Sequence, residues 1–377
     1  MNRRRFLSTS SAAAVALGSG SKAALSAATT PAKPAAKPAA RKPVLMTLGC
    51  QSAPTNETHV GYLARYGVKN ICGTAVPADR NRLHATVDEL SKMKDMCNKL
   101  GVSVDMACTG AILPSDSVDH DRHPAIMLAE SPQRDQDIED ICTMIKNCAA
   151  VGIPSFKYNL TIVGDLRIAR TPGRGDCTYA TWKLDEFHPA NPMTKAGRVT
   201  TDQYWERVNY FLERVVPVAN QYKVRIAMHP QDPWVPPNFE GVEDSVTGNV
   251  EGLKKFITMH ESPYHGLNFC QGTVSEMLLD PGKEIFDVIR YFGTRKKIFN
   301  VHFRNIRGHR SDFVETFPDE GDIDFVKAIH TYREVSYPYM IMPDHVPQAP
   351  GDPNGLQSFA FCYGYIRGLL QSMQELG

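Results

Sequence analysis

Four residues that can hold a transition metal stand at the ends of four apolar runs in the C-terminal half of this chain. His229 closes "VRIAMHP", Cys270 lies in "GLNFCQGT", His302 in "KIFNVHFRN", and Asp344 in "PYMIMPDH", with His345 beside it. Two imidazoles, a thiolate and a carboxylate make a mixed nitrogen, sulfur and oxygen donor set suited to a divalent transition ion. Mg2+ or Ca2+ would ask for oxygen ligands and gain little from Cys270. Beside such an ion, an imidazole or carboxylate can take a proton from a carbon next to a carboxylate, the ion stabilising the charge that develops. Alternation along a strand would turn His345 away from Asp344, but at a strand end running into Pro347 its ring can swing toward the site. Taken singly, a strand cysteine is ordinarily a core residue and a strand histidine an ordinary hydrogen-bonding group. The coincidence of four strand ends points to a metal.

Further polar residues fall at the same ends. Tyr158 and Asn159 close "SFKYNL", Gln271 and Thr273 follow Cys270, and Arg304 and Asn305 follow His302. Tyr158, Asn159 and Arg304 are expected to bind substrate, Arg304 as a two-pronged clamp on a carboxylate.

These residues need a scaffold that brings strand ends together. From Lys42 the chain alternates short apolar runs, at 44–49, 69–74, 102–110, 155–160, 224–230, 266–273, 297–305 and 338–345, with segments of helical periodicity. Examples are "VDELSKMKDMCNKLG", "IEDICTMIKNCAAVG" and "YWERVNYFLERVVPVANQY"; "QSFAFCYGYIRGLLQSMQE" closes the chain. Continuous apolar strands without strict alternation predict a parallel sheet covered by helices. Eight such units predict a single-domain (β/α)8 TIM barrel over 44–377, whose strands all end on the face where barrel sites are built. A doubly wound sheet is the alternative, but no glycine-rich phosphate loop follows the first strand. The Gly- and Pro-rich stretch between Leu160 and Thr201 reads as a long excursion serving the site as a lid or clamp.

The chain has 377 residues, 42% of them apolar, with 42 basic against 41 acidic residues and a net charge of +1. That balance gives no reason to expect a nucleic-acid partner. Residues 1–30 read as an export signal, with Arg3, Arg4 and Arg5 before Phe6-Leu7, in the order of twin-arginine signals. The stretch is too short and alanine-rich for a stable membrane span. An Ala/Pro/Lys linker over 31–43 follows. The expected location is periplasmic or otherwise exported. Nine cysteines form no CxxC and no compact framework, so most are read as buried thiols.

"VRIAMHPQDPW", "NFCQGT", "KIFNVHFRNIRG", "FVETFPDEGDIDFVKAIH" and "MIMPDH" resemble the successive motifs of bacterial mannonate dehydratases, and "GIPSFKYNLTIVGDLRIART" resembles that family's segment after the fourth strand. The resemblance runs from about Gly67 to the end and is densest after Val224. It implies a barrel of the xylose-isomerase-like superfamily and a divalent ion, Mn2+ above all, with Fe2+ or Co2+ as alternatives. It also implies dehydration of D-mannonate to 2-dehydro-3-deoxy-D-gluconate. His229, Cys270, His302 and Asp344 would be the metal ligands, with Asp344 and His345 in proton transfer. The chain departs from the family at Gly73–Asp79, "GTAVPAD", where relatives carry a His-His-Ile-Pro stretch. It also departs near Ala360, where a functional tyrosine is expected and Tyr363 and Tyr365 stand instead. The other readings are a sugar isomerase or epimerase on the same barrel, and an exported sugar-acid-binding barrel without turnover, alone or as a homo-oligomer.

Overall fold

The computed structural model describes residues 42–79, 81–109, 117–189 and 192–375. The signal at 1–30 and all but the last two residues of the linker lie outside the described residues. The first elements in chain order are β1 (Thr47–Ser52), α1 (Glu57–Arg65), β2 (Asn70–Ala75), α2 (Val87–Lys99), β3 (Ser103–Thr109), α3 (Ala125–Leu128), α4 (Gln133–Ala150), β4 (Ser155–Asn159), β5 (Ala169–Pro172) and β6 (Thr178–Lys183). They are followed by α5 (Thr201–Tyr222), β7 (Arg225–His229), α6 (Val250–Phe256), β8 (His265–Cys270), α7 (Gln271–Ser275) and α8 (Pro281–Thr294). The last are β9 (Ile298–His302), β10 (Asn305–His309), β11 (Asp312–Thr316), α9 (Phe325–Glu334), β12 (Met340–Met342) and α10 (Leu356–Glu375).

Eight of the strands close into a parallel barrel in the cyclic order β1, β12, β9, β8, β7, β4, β3, β2. Helices cover the outside, as the run pattern predicts. β4, β8, β9 and β12 are buried along their whole length, because one face meets the helices and the other the barrel interior. Inside, Cys72, Met106, Cys108, Ala227, Phe299, Met340 and Met342 pack together. The barrel is therefore a filled core with its site at one end rather than a pore. Helix starts are fixed locally. Thr86 and Glu89 form a reciprocal capping box on α2, and Thr200 and Gln203 do the same on α5, each satisfying donors a helix leaves free.

The second sheet was not legible as strands. The excursion between β4 and α5 contains an antiparallel hairpin, β5 with β6, and the segment after β9 contains another, β10 with β11. The two join edge to edge through β6 and β11, with Phe313 opposite Trp182, into one four-stranded sheet. Trp182 is fully buried and its ring packs on Phe187 and Phe239. The expected loop is thus a folded cover. The apolar run at 266–273 also ends early, because Cys270 caps α7 and turns the chain into a helix.

Candidate metal centre and substrate cavity

β7, β8 and β9 end at His229, Cys270 and His302, and Asp344 lies two residues past the end of β12. Register holds three of these ends level, Cys270 beside His302 and His302 beside Met342, while His229 pairs with Asn159. One atom from each of His229, Cys270, His302 and Asp344 lies within 4.8 Å of the others. Cys270 Sγ is 3.4 Å from Asp344 Oδ2 and His302 Nδ1 is 3.3 Å from the same oxygen. The two imidazoles stand with centroids 5.2 Å apart.

The donor set fits a metal ion. Asp344 Oδ1 is buried without a hydrogen-bond partner, a costly state for a carboxylate oxygen unless a cation completes it. Burial pulls the His229 imidazole down to about 3, with the neighbouring His302 and Lys157 pulling the same way, so the ring is neutral and keeps a lone pair to offer. His229 Nδ1 is 2.7 Å from the Pro230 carbonyl, which orients Nε2 inward. Burial also lowers His302, and the Asn268 side-chain amide makes a 3.2 Å hydrogen bond with its Nε2. Burial and the Asp344 charge push the Cys270 thiol well up, which a bound cation would reverse. The Thr273 amide donates to its sulfur at 3.4 Å.

Around this quartet lies a buried ionic web that the sequence did not announce. Arg304 Nη2 donates to Asp232 Oδ2 at 2.7 Å, to Glu276 Oε1 at 2.9 Å and to Thr273 Oγ1 at 3.0 Å. Its Nη1 faces Glu315 Oε1 at 3.1 Å and Asp344 Oδ2 at 3.6 Å. Gly272 is what admits it, since a Cβ there would sit 2.1 Å from Arg304 Nε. Arg167 grips the other side, with Nη2 2.8 Å from Asp232 Oδ1 and Nε 3.0 Å from Glu315 Oε1. Burial works to neutralise Asp344 and Asp232, but Arg304 holds Asp344, and Arg167 with Arg304 holds Asp232, well below the usual carboxylate range, and Glu315 stays at about 2. Glu276 goes the other way, burial and the Asp232 charge pushing it well above the usual carboxylate range against the pull of Arg304. Only a compensated web can hold this much charge out of water.

His345 turns out of the strand line and joins the web. Its Nδ1 lies 2.8 Å from Glu315 Oε1 and also contacts Arg304. The ring is more than a third exposed. It borders a cavity of about 460 Å³ that Asp165, Arg167, Gln348, Asn354 and Phe359 also line.

Two expected substrate binders stand away from the open cavity. Tyr158 is fully buried, its ring 5.1 Å from Phe211 of α5, because alternation on β4 turns it out of the barrel. Arg304 has both terminal nitrogens held by carboxylates, and its side chain is 1% exposed. Asn159 faces the site, its buried Oδ1 without a partner in a recess it shares with His229 and Asp232. Tyr363 is tied to Cys50 at 2.9 Å and Tyr365 packs toward Phe325; Phe359 is the α10 residue that borders the cavity. Sequence reasoning missed Arg167, Asp232, Glu276 and Glu315. Asp232 alone carried a signal, standing three residues past His229 in "HPQDP".

A family model described as D-mannonate dehydratase (UxuA) matches residues 178–376. Mannonate dehydratase 1 of Halalkalibacterium halodurans is 30% identical over 285 residues, spanning 65% of this chain and 76% of that protein. The mannonate dehydratase of Thermotoga petrophila is 26% identical over 329 residues, spanning 77% and 87%. Among solved structures, mannonate dehydratase from Streptococcus suis serotype 2 superposes with a TM-score of 0.74 at 21% identity, covering 88% of this chain and 96% of that one. A xylose isomerase domain protein from Planctomyces limnophilus superposes at 0.56 and 12% identity, covering 88% and 99%. Both are likenesses of fold.

Proposed function

The chain belongs to the D-mannonate dehydratase family and is a sugar-acid hydro-lyase, and from that premise we propose that His229, Cys270, His302 and Asp344 hold one divalent transition-metal ion, Mn2+ first among candidates, for the dehydration of D-mannonate. The unpartnered Asp344 Oδ1, buried inside a quartet of converging donors, carries the proposal. When bound, the ion supplies a Lewis acid that polarises substrate oxygens and favours loss of the proton beside the carboxylate.

The chain's own residues do the rest. Elimination removes the C2 hydrogen and the C3 hydroxyl, and the resulting enol tautomerises to the 2-keto-3-deoxy acid. In this reading His345 carries the proton transfer. Its Nδ1 is held by Glu315, which leaves Nε2 to reach a substrate atom from the cavity rim. Arg304 and Arg167 act as positioning residues, fixing Asp232, Glu315 and Asp344 so that the quartet is preorganised. Glu315 on the cover sheet and Arg167 just before β5 line the cavity mouth, which limits water around the reacting carbon.

The test is direct. Metal-loaded protein given D-mannonate forms a product that reacts with thiobarbituric acid, chelation abolishes the signal, and added Mn2+ restores it. Metal-loaded protein that turns over no hexonate overturns the dehydration. Export is part of the same proposal, resting on the Arg3-Arg4-Arg5-Phe6-Leu7 order. Lysine at all three arginines leaves the precursor in the cytoplasm, and unchanged periplasmic recovery of that variant would reject the twin-arginine route.

A further inference from the structure

The four candidate ligands come from one arc of the barrel, β7, β8, β9 and β12, which are neighbours in the cyclic order. The other arc, β4, β3, β2 and β1, therefore frames the space facing the quartet. Lys157 reaches across that space. Lys157 lies between Phe156 and Tyr158, whose rings stack together, with Tyr158 also packing on α5, so alternation along β4 points Lys157 into the barrel. Its ammonium reaches the Gln51 side-chain carbonyl on β1, at the far end of the arc.

This cation is poorly matched. Lys157 is 6% exposed, and among the described residues no carboxylate makes an ion pair with it. Its named acceptor is a neutral amide. Buried lysines are ordinarily paired, because taking an ammonium out of water costs far more than one amide returns. Two positions beyond it on the same strand face, the Asn159 carbonyl oxygen is also buried without a partner. A charged donor facing the quartet and a bare polar group beside His229 thus border the same space, while the arginine expected to receive an acid group is consumed elsewhere.

We propose that Lys157 is the anchor for the substrate's carboxylate, with Gln51 as the stand-in that occupies its ammonium until the sugar acid arrives and Asn159 as a partner for the adjoining hydroxyl. The assignment rests on the dehydratase reading for the identity of the acid. It makes the site selective for aldonates over the uncharged sugars that a shared barrel could otherwise accept.

Calorimetry on the Mn2+-loaded full chain separates these ideas, with D-mannonate, D-gluconate and the neutral D-mannitol as probes. Lys157→Met is expected to weaken binding of a hexonate on the order of 10- to 100-fold, the scale of one hydrogen bond to a charged group, with mannitol binding and metal content unchanged. Gln51→Glu, which leaves the ammonium in place but pairs it internally, is expected to weaken hexonate binding in the same selective way. That variant keeps the test available should Lys157→Met fail to fold. Equal losses for hexonate and mannitol in either variant would overturn the anchor, as would a wild type that does not prefer hexonates to mannitol. Lys157-dependent hexonate binding without any keto acid product would leave the anchor standing and remove the dehydration.

Discussion

Arg304 and Asp232, 72 residues apart in sequence, meet at 2.7 Å in the buried floor beside the candidate metal centre, and that ion pair joins the end of β9 to the connection after β7. Through Arg304 Nη1 the same guanidinium also faces Asp344, so the charge of one candidate ligand is set by a residue that cannot itself bind an ion.

Replacing Arg304 by Met would leave Asp232, Glu315 and Asp344 facing each other without their shared cation. Breaking a buried pair of this kind costs about 3–5 kcal/mol. Chemical denaturation should show that loss, and a midpoint within error of wild type would refute the account of the web.

Gly272→Ala tests the same contact sterically. The added methyl would collide with Arg304 Nε, which lies 2.1 Å from where that Cβ would sit. Overpacking of this kind costs about 1–3 kcal/mol, and the displaced guanidinium should also lower metal affinity. Full stability together with full metal loading would contradict it.

Cys270→Ser keeps the shape of the quartet and removes its soft donor. Outer partners of metal sites already cost about 10- to 100-fold in affinity when lost, so removing a ligand should cost at least that. Elemental analysis after dialysis, alongside His302→Ala, decides the point.

His345→Gln should retain metal and lower kcat by roughly 10²- to 10⁴-fold, the usual worth of a positioned acid or base. A change confined to KM would make His345 a binding group instead.

Acid sensitivity should be visible at α2. Burial raises the Glu89 carboxyl, but hydrogen bonds from Arg82 and from the Ala78 and Thr86 amides outweigh it and hold the group at about 2, below its ordinary 4.5. A depressed carboxylate stabilises the fold fully above its unfolded value and loses that contribution as pH falls toward the folded one. The stability gap between wild type and Glu89→Gln should therefore narrow as pH drops from above 4.5 toward 2. A gap that widens would reverse the sign.

The barrel was legible because its strands are buried on both faces and so read as unbroken apolar runs, and the quartet because each donor ended such a run. The cover sheet was not. β5 is mostly exposed, reads Ala-Arg-Thr-Pro, and acquires its pairing only from β6. Tyr158 was misplaced by one step of alternation, which decides between barrel interior and helix layer. Arg304 was seen, but its four acidic neighbours come from separate stretches of chain and no local spacing could show that it was already engaged.

The seam between β6 and β11 ties together two rim segments that most barrels can vary independently. Lengthening or trimming either hairpin would shift the register of the other and with it the reach of Glu315 and Arg167. Change at this rim is therefore yoked, and descendants of this chain can remodel it only by altering both segments in step.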